Sequence, residues 1–216
     1  MNDSATYIVD AKKAERFIED IANNSIQYSK KELGSGGDVR IWGIDKSNYL
    51  IKDLIAFFVE NSSFTKSEIK NITAMYNIIP VGDGLNSGDG WHFDSPRTQQ
   101  KCFCYLNEVS KAEHGAIRFL RFDNFLNRSL YRLSVMVMYA FRGNNRISNA
   151  YLKFLASING KEDYVFGPTG FTFIEDTSFP HKGGELVSQP RHAVTLYYFE
   201  KDPDWLSYNQ QRSGKT

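Results

Sequence analysis

The chain has 216 residues, with 26 lysines and arginines against 25 aspartates and glutamates, and a formal net charge of +1. That length suits a single domain with one sizeable core, and so balanced a charge offers no field to gather nucleic acid or an anionic membrane, so neither is expected as a partner. The longest apolar runs, LIAFFV (54–59) and VMVMYAF (135–141), fall short of the roughly 20 residues a bilayer crossing needs. The opening stretch MNDSATYIVDAKKAERF has no apolar h-region, which predicts a cytoplasmic protein. Cys102 and Cys104 are too close in an extended segment for an easy disulfide and too few for a structural zinc site, so both are expected as reduced core residues.

From Ala11 to Asn23 the residues Ala14, Phe17, Ile18, Ile21 and Ala22 recur at helical spacing, and Asp10 is placed to cap the start. KELGSGGDVRIWG (31–43) reads as a glycine-rich loop running into a short apolar segment. A second helix is expected from Asn48 to Glu60, capped by Ser47, with Leu50, Ile51, Leu54, Ile55 and Phe58 on one stripe. After Asn71 the period changes from 3.6 to 2. Strand-like runs follow at 71–79, 101–109, 115–120, 170–176 and 191–200, rich in β-branched and aromatic residues. Region 124–165 is open to two readings: LYRLSVMVMYAF fits a buried strand or a buried helix, NAYLKFLASI looks helical, and the whole could be a lid or part of the sheet. Helices followed by strands argue for a mainly β protein, an antiparallel sandwich or jelly roll with N-terminal flanking α-helices packed outside. The expected organisation is one domain over 1–216: a helical flank with substrate-side loops to about residue 70, a core at 71–200 and a tail at 201–216.

The segment GDGWHFDSP places His92 two residues before Asp94. In an extended chain residues i and i+2 point the same way, so an imidazole and a carboxylate can aim at one ion. Such a pair also occurs by chance, and a third ligand is needed. Of the three other histidines, His114 lies in a charged loop tip, KAEHGAI, where a solvated role suits it. His192 faces away from whatever its neighbour Arg191 faces. His181, in FIEDTSFPHKGGE, directly follows an apolar strand and a proline, and the two glycines after it permit close approach. Two histidines and one carboxylate leave open coordination positions, the arrangement of non-haem Fe(II) oxygenases, whereas structural zinc is closed by four protein ligands. Arg191 starts a strand ten positions after His181, so its guanidinium could stand beside the metal and bind a carboxylate bidentately, or pair with an acidic residue at the rim.

These residues resemble the Fe(II)/2-oxoglutarate-dependent dioxygenases, and among them the phytanoyl-CoA dioxygenase-like group. GWHFD is similar to that group's W-H-x-D segment, FCYLNEVSKAEHGAIRFL to its strand, acidic turn and following strand, GFTFIEDTSFPHKGG to the strand leading to its distal histidine, and RHAVTLYYF to its closing strand. The likeness covers roughly residues 71 to 200. It implies a double-stranded β-helix with Fe(II) held by His92, Asp94 and His181, 2-oxoglutarate held through its 5-carboxylate by Arg191, and O2 consumed as the cosubstrate becomes succinate and CO2 and a substrate is hydroxylated. Two departures stand out. RFDN (121–124) replaces the Pro-Gly-Ser-His that many members carry, and Ala193 stands where many relatives have serine, so Asn77 and Lys101 are candidates to complete cosubstrate binding. Related halogenases replace the metal-binding aspartate by glycine or alanine; Asp94 fills that place and argues against halogenation.

Trp91, Phe93 and Arg97 flank the metal pair, and the tryptophan either walls the pocket or packs beneath the turn; Trp91 and Arg97 are candidate substrate contacts. Arg40 and Trp42, in the N-terminal region where relatives build substrate-covering loops, would suit a polar or acidic small molecule. The expected partner is therefore a small-molecule substrate. A jelly roll that binds metal or an acidic ligand without redox turnover is the alternative from a different class.

Overall fold

The computed structural model describes residues 5–34, 37–62, 71–82, 90–96, 98–122, 124–142 and 145–198. Two antiparallel sheets face each other. The larger contains β1 (Thr6–Ile8), β2 (Lys30–Leu33), β3 (Val39–Trp42), β4 (Ile72–Ile79), β5 (Gln100–Tyr105), β8 (Phe171–Asp176) and β10 (Arg191–Tyr198), in the order β1-β8-β5-β10-β4-β3-β2. The smaller has β7 (Gly160–Val165), β6 (Ile117–Phe122) and β9 (His181–Lys182), in that order. Beside β9, His92 forms an isolated antiparallel bridge with His181 and so adds the fourth line of the small sheet. This is a jelly roll.

Alternation along the strands divides the side chains between two destinations. Ile72, Ala74 and Tyr76 of β4, Cys102 and Cys104 of β5, Ile174 of β8, and Val194 and Leu196 of β10 all point outward, where they pack against helices α1 (Ala11–Ala22) and α2 (Tyr49–Asn61). Phe17 of α1 and Leu50, Leu54 and Phe58 of α2 are fully buried in that layer, each contributing about 2 to 3 kcal/mol of hydrophobic stabilisation. Both cysteines are free and buried, and burial pushes the Cys104 thiol up to about 12, which leaves it unreactive. The opposite set faces into the barrel: Met75 and Asn77, Lys101 and Phe103, and Arg191, Ala193, Thr195 and Tyr197. Strand β10 holds these in register, pairing with β4 from Arg191↔Ile79 to Tyr198↔Ile72 and with β5 from Ala193↔Tyr105 to Tyr197↔Lys101.

Asp10 caps α1, accepting from the amides of Lys12 and Lys13 at 2.8 and 3.3 Å. The second helix starts one residue later than its sequence suggests. Asn48, not Ser47, is the cap, accepting from Leu50 and Ile51, while the Ser47 amide is taken up by the Asp45 carboxylate in the preceding turn. Strand β6 runs on through Arg121 and Phe122, so the first half of RFDN is strand. Strand β5 ends at Tyr105, four residues short of the expected stretch. Region 124–165 forms α3 (Phe125–Arg142), α4 (Asn149–Ser157) and β7. Between 125 and 142 there is no glycine or proline, so nothing interrupts the helix. It is not a buried one: among its described side chains only Asn127, Tyr131 and Val135 are buried.

One inward position carries charge for structural reasons. Arg121 grips both oxygens of the buried Glu175 carboxylate at 3.1 and 2.6 Å and reaches Asp163 at 2.6 Å, tying the two sheets together. Glu175→Ala leaves that guanidinium with Asp163 as its one carboxylate partner and is expected to destabilise the fold by about 2 kcal/mol, discounted from the cost of a fully buried pair because Arg121 is partly exposed. A urea denaturation curve measures it.

Candidate metal centre

His92 and His181 exchange both backbone hydrogen bonds, at 3.0 and 2.8 Å, which makes them a hydrogen-bonded antiparallel pair with side chains on one face. Their ring centroids lie 4.4 Å apart. The Asp94 amide donates to the Thr177 carbonyl at 2.9 Å, fixing the carboxylate next to the end of β8. One ligand atom from each of His92, Asp94 and His181 lies within 4.8 Å of the others, and among the described residues this is the one such cluster of potential metal ligands.

The chemistry of the donor set is as telling as the spacing. Nδ1 of His92 lies 3.0 Å from the Gly90 carbonyl oxygen, and Nδ1 of His181 lies 3.0 Å from that of Phe179. A carbonyl only accepts, so each Nδ1 carries the proton and each Nε2 lone pair is left as the donor to an ion. Nε2 of His181 stands 3.3 Å from Oδ2 of Asp94, a contact between two acceptors that a cation relieves. Burial pushes the His92 imidazole down to about 3, which keeps it neutral. For Asp94, burial alone would raise the carboxyl, but the Lys101 ammonium, 2.7 Å from Oδ2, holds it well below the usual carboxylate range. The Phe119 ring stacks on His181 at 5.5 Å, closing one side of the pair.

The centre opens on a cavity of about 140 Å³ between the sheets, lined among others by His92, Asp94, His181, Arg191, Asn77 and Lys101. Arg191 is buried at the other end of the β10 register from Tyr197 and donates to the Gly115 carbonyl. Asn77 is paired in register with Ala193, so its amide lies beside that small side chain, and its Nδ2 donates to the Val39 carbonyl at 3.4 Å. Lys101 meets the candidate metal ligand Asp94 and lies over the Tyr197 ring at 4.2 Å, rather than standing with Arg191. Arg40 and Trp42 also line the cavity, delivered by β3, which pairs with β4 through Arg40↔Asn77 and Trp42↔Met75.

Trp91 does not line this cavity. It alternates with His92 and, together with Phe93, points the other way into a cluster with Leu120, Tyr131, Val135, Ile147 and Leu155, where Lys182 sits over its ring at 5.3 Å. Arg97 lies outside the described residues. His192 faces away from the cavity and is joined to the Tyr76 hydroxyl at 2.6 Å, and His114 stays in its loop beside Ser110. Two cavity residues not singled out in the sequence, Thr195 and Tyr197, were readable there, because they follow Arg191 at intervals of two. Arg146, which bridges His92 from a segment more than fifty residues away, carries no local signal.

A scan of the sequence against known protein families finds no match, and a search of curated proteins finds none either. Solved structures do match. SnoK, a non-heme alpha ketoglutarate dependent carbocyclase from nogalamycin biosynthesis, aligns with a TM-score of 0.53 at 10% identity over 95% of this chain and 86% of its own. The epimerase SnoN, solved with Fe3+, alpha ketoglutarate and nogalamycin RO, aligns with a TM-score of 0.53 at 12% identity over 91% of this chain and 78% of its own. EctD from S. alaskensis gives a TM-score of 0.55 at 13% identity, covering 90% of this chain and 73% of its own. At such identities the likeness is one of fold, and it extends over nearly the whole chain.

Proposed function

We propose that this chain is an Fe(II)- and 2-oxoglutarate-dependent oxygenase that hydroxylates a small polar metabolite or biosynthetic intermediate. The observation that carries the reading is the convergence of His92, Asp94 and His181, with both Nε2 lone pairs directed by backbone carbonyls, on the wall of a cavity that also holds Arg191. The shared fold with SnoK and SnoN, both described as non-heme alpha ketoglutarate dependent, supports it. Two neutral imidazoles and one carboxylate suit Fe(II) and leave coordination positions free. Iron(II) held there would supply the redox chemistry with O2 that couples decarboxylation of 2-oxoglutarate to oxidation of a C–H bond, so that substrate, O2 and 2-oxoglutarate give alcohol, succinate and CO2.

The chain's own residues do the rest. Arg191 receives the 5-carboxylate of the cosubstrate through its planar fork, with the Asn77 amide nearby. Lys101 keeps Asp94 ionised, as a metal ligand must be. Toward the substrate, Arg40 spends Nε on Asp38 at 2.7 Å and has Nη1 at 3.9 Å from Glu32, while its buried Nη2 has no hydrogen-bond acceptor among the described residues. A buried donor of this kind asks for an oxygen, which favours a hydroxylated or acidic substrate. Trp42 gives its indole N–H to Glu32 at 2.7 Å and lies 5.3 Å from the Tyr197 ring, so the two rings offer an apolar wall opposite.

The test needs no knowledge of the substrate. Calorimetry with N-oxalylglycine should show binding in the presence of Mn(II) and none after chelation, and under air with Fe(II) and ascorbate the protein should release succinate from 2-oxoglutarate. Binding that ignores the metal, or no binding in either state, overturns the oxygenase reading and leaves a ligand-binding jelly roll.

A further inference from the structure

A second opening in the fold is larger than the cavity at the metal centre. It is a groove of about 800 Å³ between the first turns of α3 and the strands below, beside Gln100 of β5, the second half of β6 and the end of β8. That volume falls within the roughly 300 to 1,000 Å³ of small-molecule sites, whereas the cavity at the proposed metal ligands measures about 140 Å³. Phe119 touches both regions, since its ring stacks on His181 and also lines the groove.

The lining suits an acid. Arg121, Arg128 and Arg132 face the groove with two carboxylates, and both carboxylates are already engaged. Arg121 holds both oxygens of Glu175. Asp176 takes the amides of Gln99 and Ser178 on Oδ1 at 3.1 and 3.0 Å, and Arg132 approaches its Oδ2 only at 3.4 Å. Arg128 pairs with no carboxylate among the described residues; its Nε donates to the Phe122 carbonyl at 3.0 Å. Four positions apart on one face of α3, with Ser129 beside them, Arg128 and Arg132 offer guanidinium N–H groups that match the oxygens of one carboxylate. Two further features ask for more than a simple ion. Phe125 lines the groove yet is 85% exposed, and Phe179 lies under the Arg132 guanidinium at 5.7 Å, so a flat apolar body has rings to rest against. The side-chain oxygen of Gln100 is buried without a hydrogen-bond partner, a cost that a ligand O–H or N–H removes.

We propose that this groove is a second ligand site, apart from the metal cavity, for a flat organic acid that also carries an O–H or N–H donor. Its position ties it to the proposed centre. Asp176 and Phe179 line one wall and bracket a segment whose main chain serves two of the metal-ligand residues. The Thr177 carbonyl accepts the Asp94 amide at 2.9 Å, and the Phe179 carbonyl accepts from Nδ1 of His181 at 3.0 Å. A ligand in the groove therefore rests against the segment that orients those side chains.

Saturation-transfer NMR on the full chain tests this with para-coumarate and its uncharged amide, in the presence of excess Mn(II) and N-oxalylglycine to occupy the metal cavity. The acid should bind at least about 10-fold more tightly than the amide, the size expected when a hydrogen bond to a charged group is lost. Arg128→Met combined with Arg132→Met should erase that difference, and Ser129→Trp, which fills the groove from its wall, should abolish binding of both compounds. An acid that fails to bind, or binds no better than its amide, overturns the proposal. So does binding that vanishes when N-oxalylglycine is added or that ignores the arginine substitutions. Should the arginine double variant fail to fold, the wild-type ratio of acid to amide and the Ser129→Trp variant decide. The result stands apart from the oxygenase reading, because failure of Mn(II) or N-oxalylglycine to bind leaves the comparison of acid with amide intact.

Discussion

His181→Ala is expected to weaken Mn(II) or Fe(II) binding by more than about 100-fold while the fold survives. Loss of residues that merely orient a ligand already costs roughly 10- to 100-fold in metal affinity, and this substitution removes one of three proposed ligands outright. The backbone bonds that join residue 181 to His92 do not depend on the side chain, so β9 stays in place. What is lost structurally is the stacking on Phe119. His192→Ala is the control. Its imidazole lies on the other face of β10, against Tyr76, and its removal should leave metal affinity unchanged. Calorimetric titration of both variants separates a ligand from a nearby histidine, and equal metal affinity in the wild type and His181→Ala would leave the proposed centre without its third donor.

Arg191→Met should lower the affinity of the metal-loaded protein for 2-oxoglutarate or N-oxalylglycine by about 100-fold. A hydrogen bond to a charged group is worth about 1.5 to 3 kcal/mol, and a guanidinium can make two to one carboxylate. Methionine keeps much of the volume, so the barrel need not collapse around the change. Arg191→Lys retains the charge without the planar fork and should recover only part of the loss. Metal affinity measured alone should be unaffected in both, which distinguishes a cosubstrate residue from one that props up the centre. Competition binding monitored by calorimetry gives all three numbers.

The core of the jelly roll was legible because each of its main strands carries a period of two over six or eight residues, and that period also separates Arg191 from His192 and His92 from Trp91. The proposed metal residues were legible for a related reason: H-x-D on an extended segment and a histidine after an apolar strand are local patterns. What was hidden depended on partners remote in sequence or on elements too short to show a period. Strand β1 has three exposed residues and β2 is four residues with none buried, so neither alternates, yet the hairpin β2–β3 brings Arg40 and Trp42 to the cavity. The contact between Lys101 and Asp94 follows from where β5 lies across the barrel from residue 94, which no local spacing reveals. Helix α3 was ambiguous because LYRLSVMVMYAF is apolar enough for a buried strand, and because the apolar stripe of the helix faces solvent while only Asn127, Tyr131 and Val135, among its described side chains, are buried against the barrel.

The reciprocal main-chain bonds between residues 92 and 181 have an outcome for how this protein can diversify. The spacing of the two imidazoles is inherited from the ladder of the smaller sheet, whereas Arg40 and Trp42 ride on a hairpin appended at the edge of the larger one. If the proposed oxygenase reading holds, recognition and oxidation sit on separable parts, and mutations that remodel the hairpin are expected to change what the cavity admits without moving the two imidazoles.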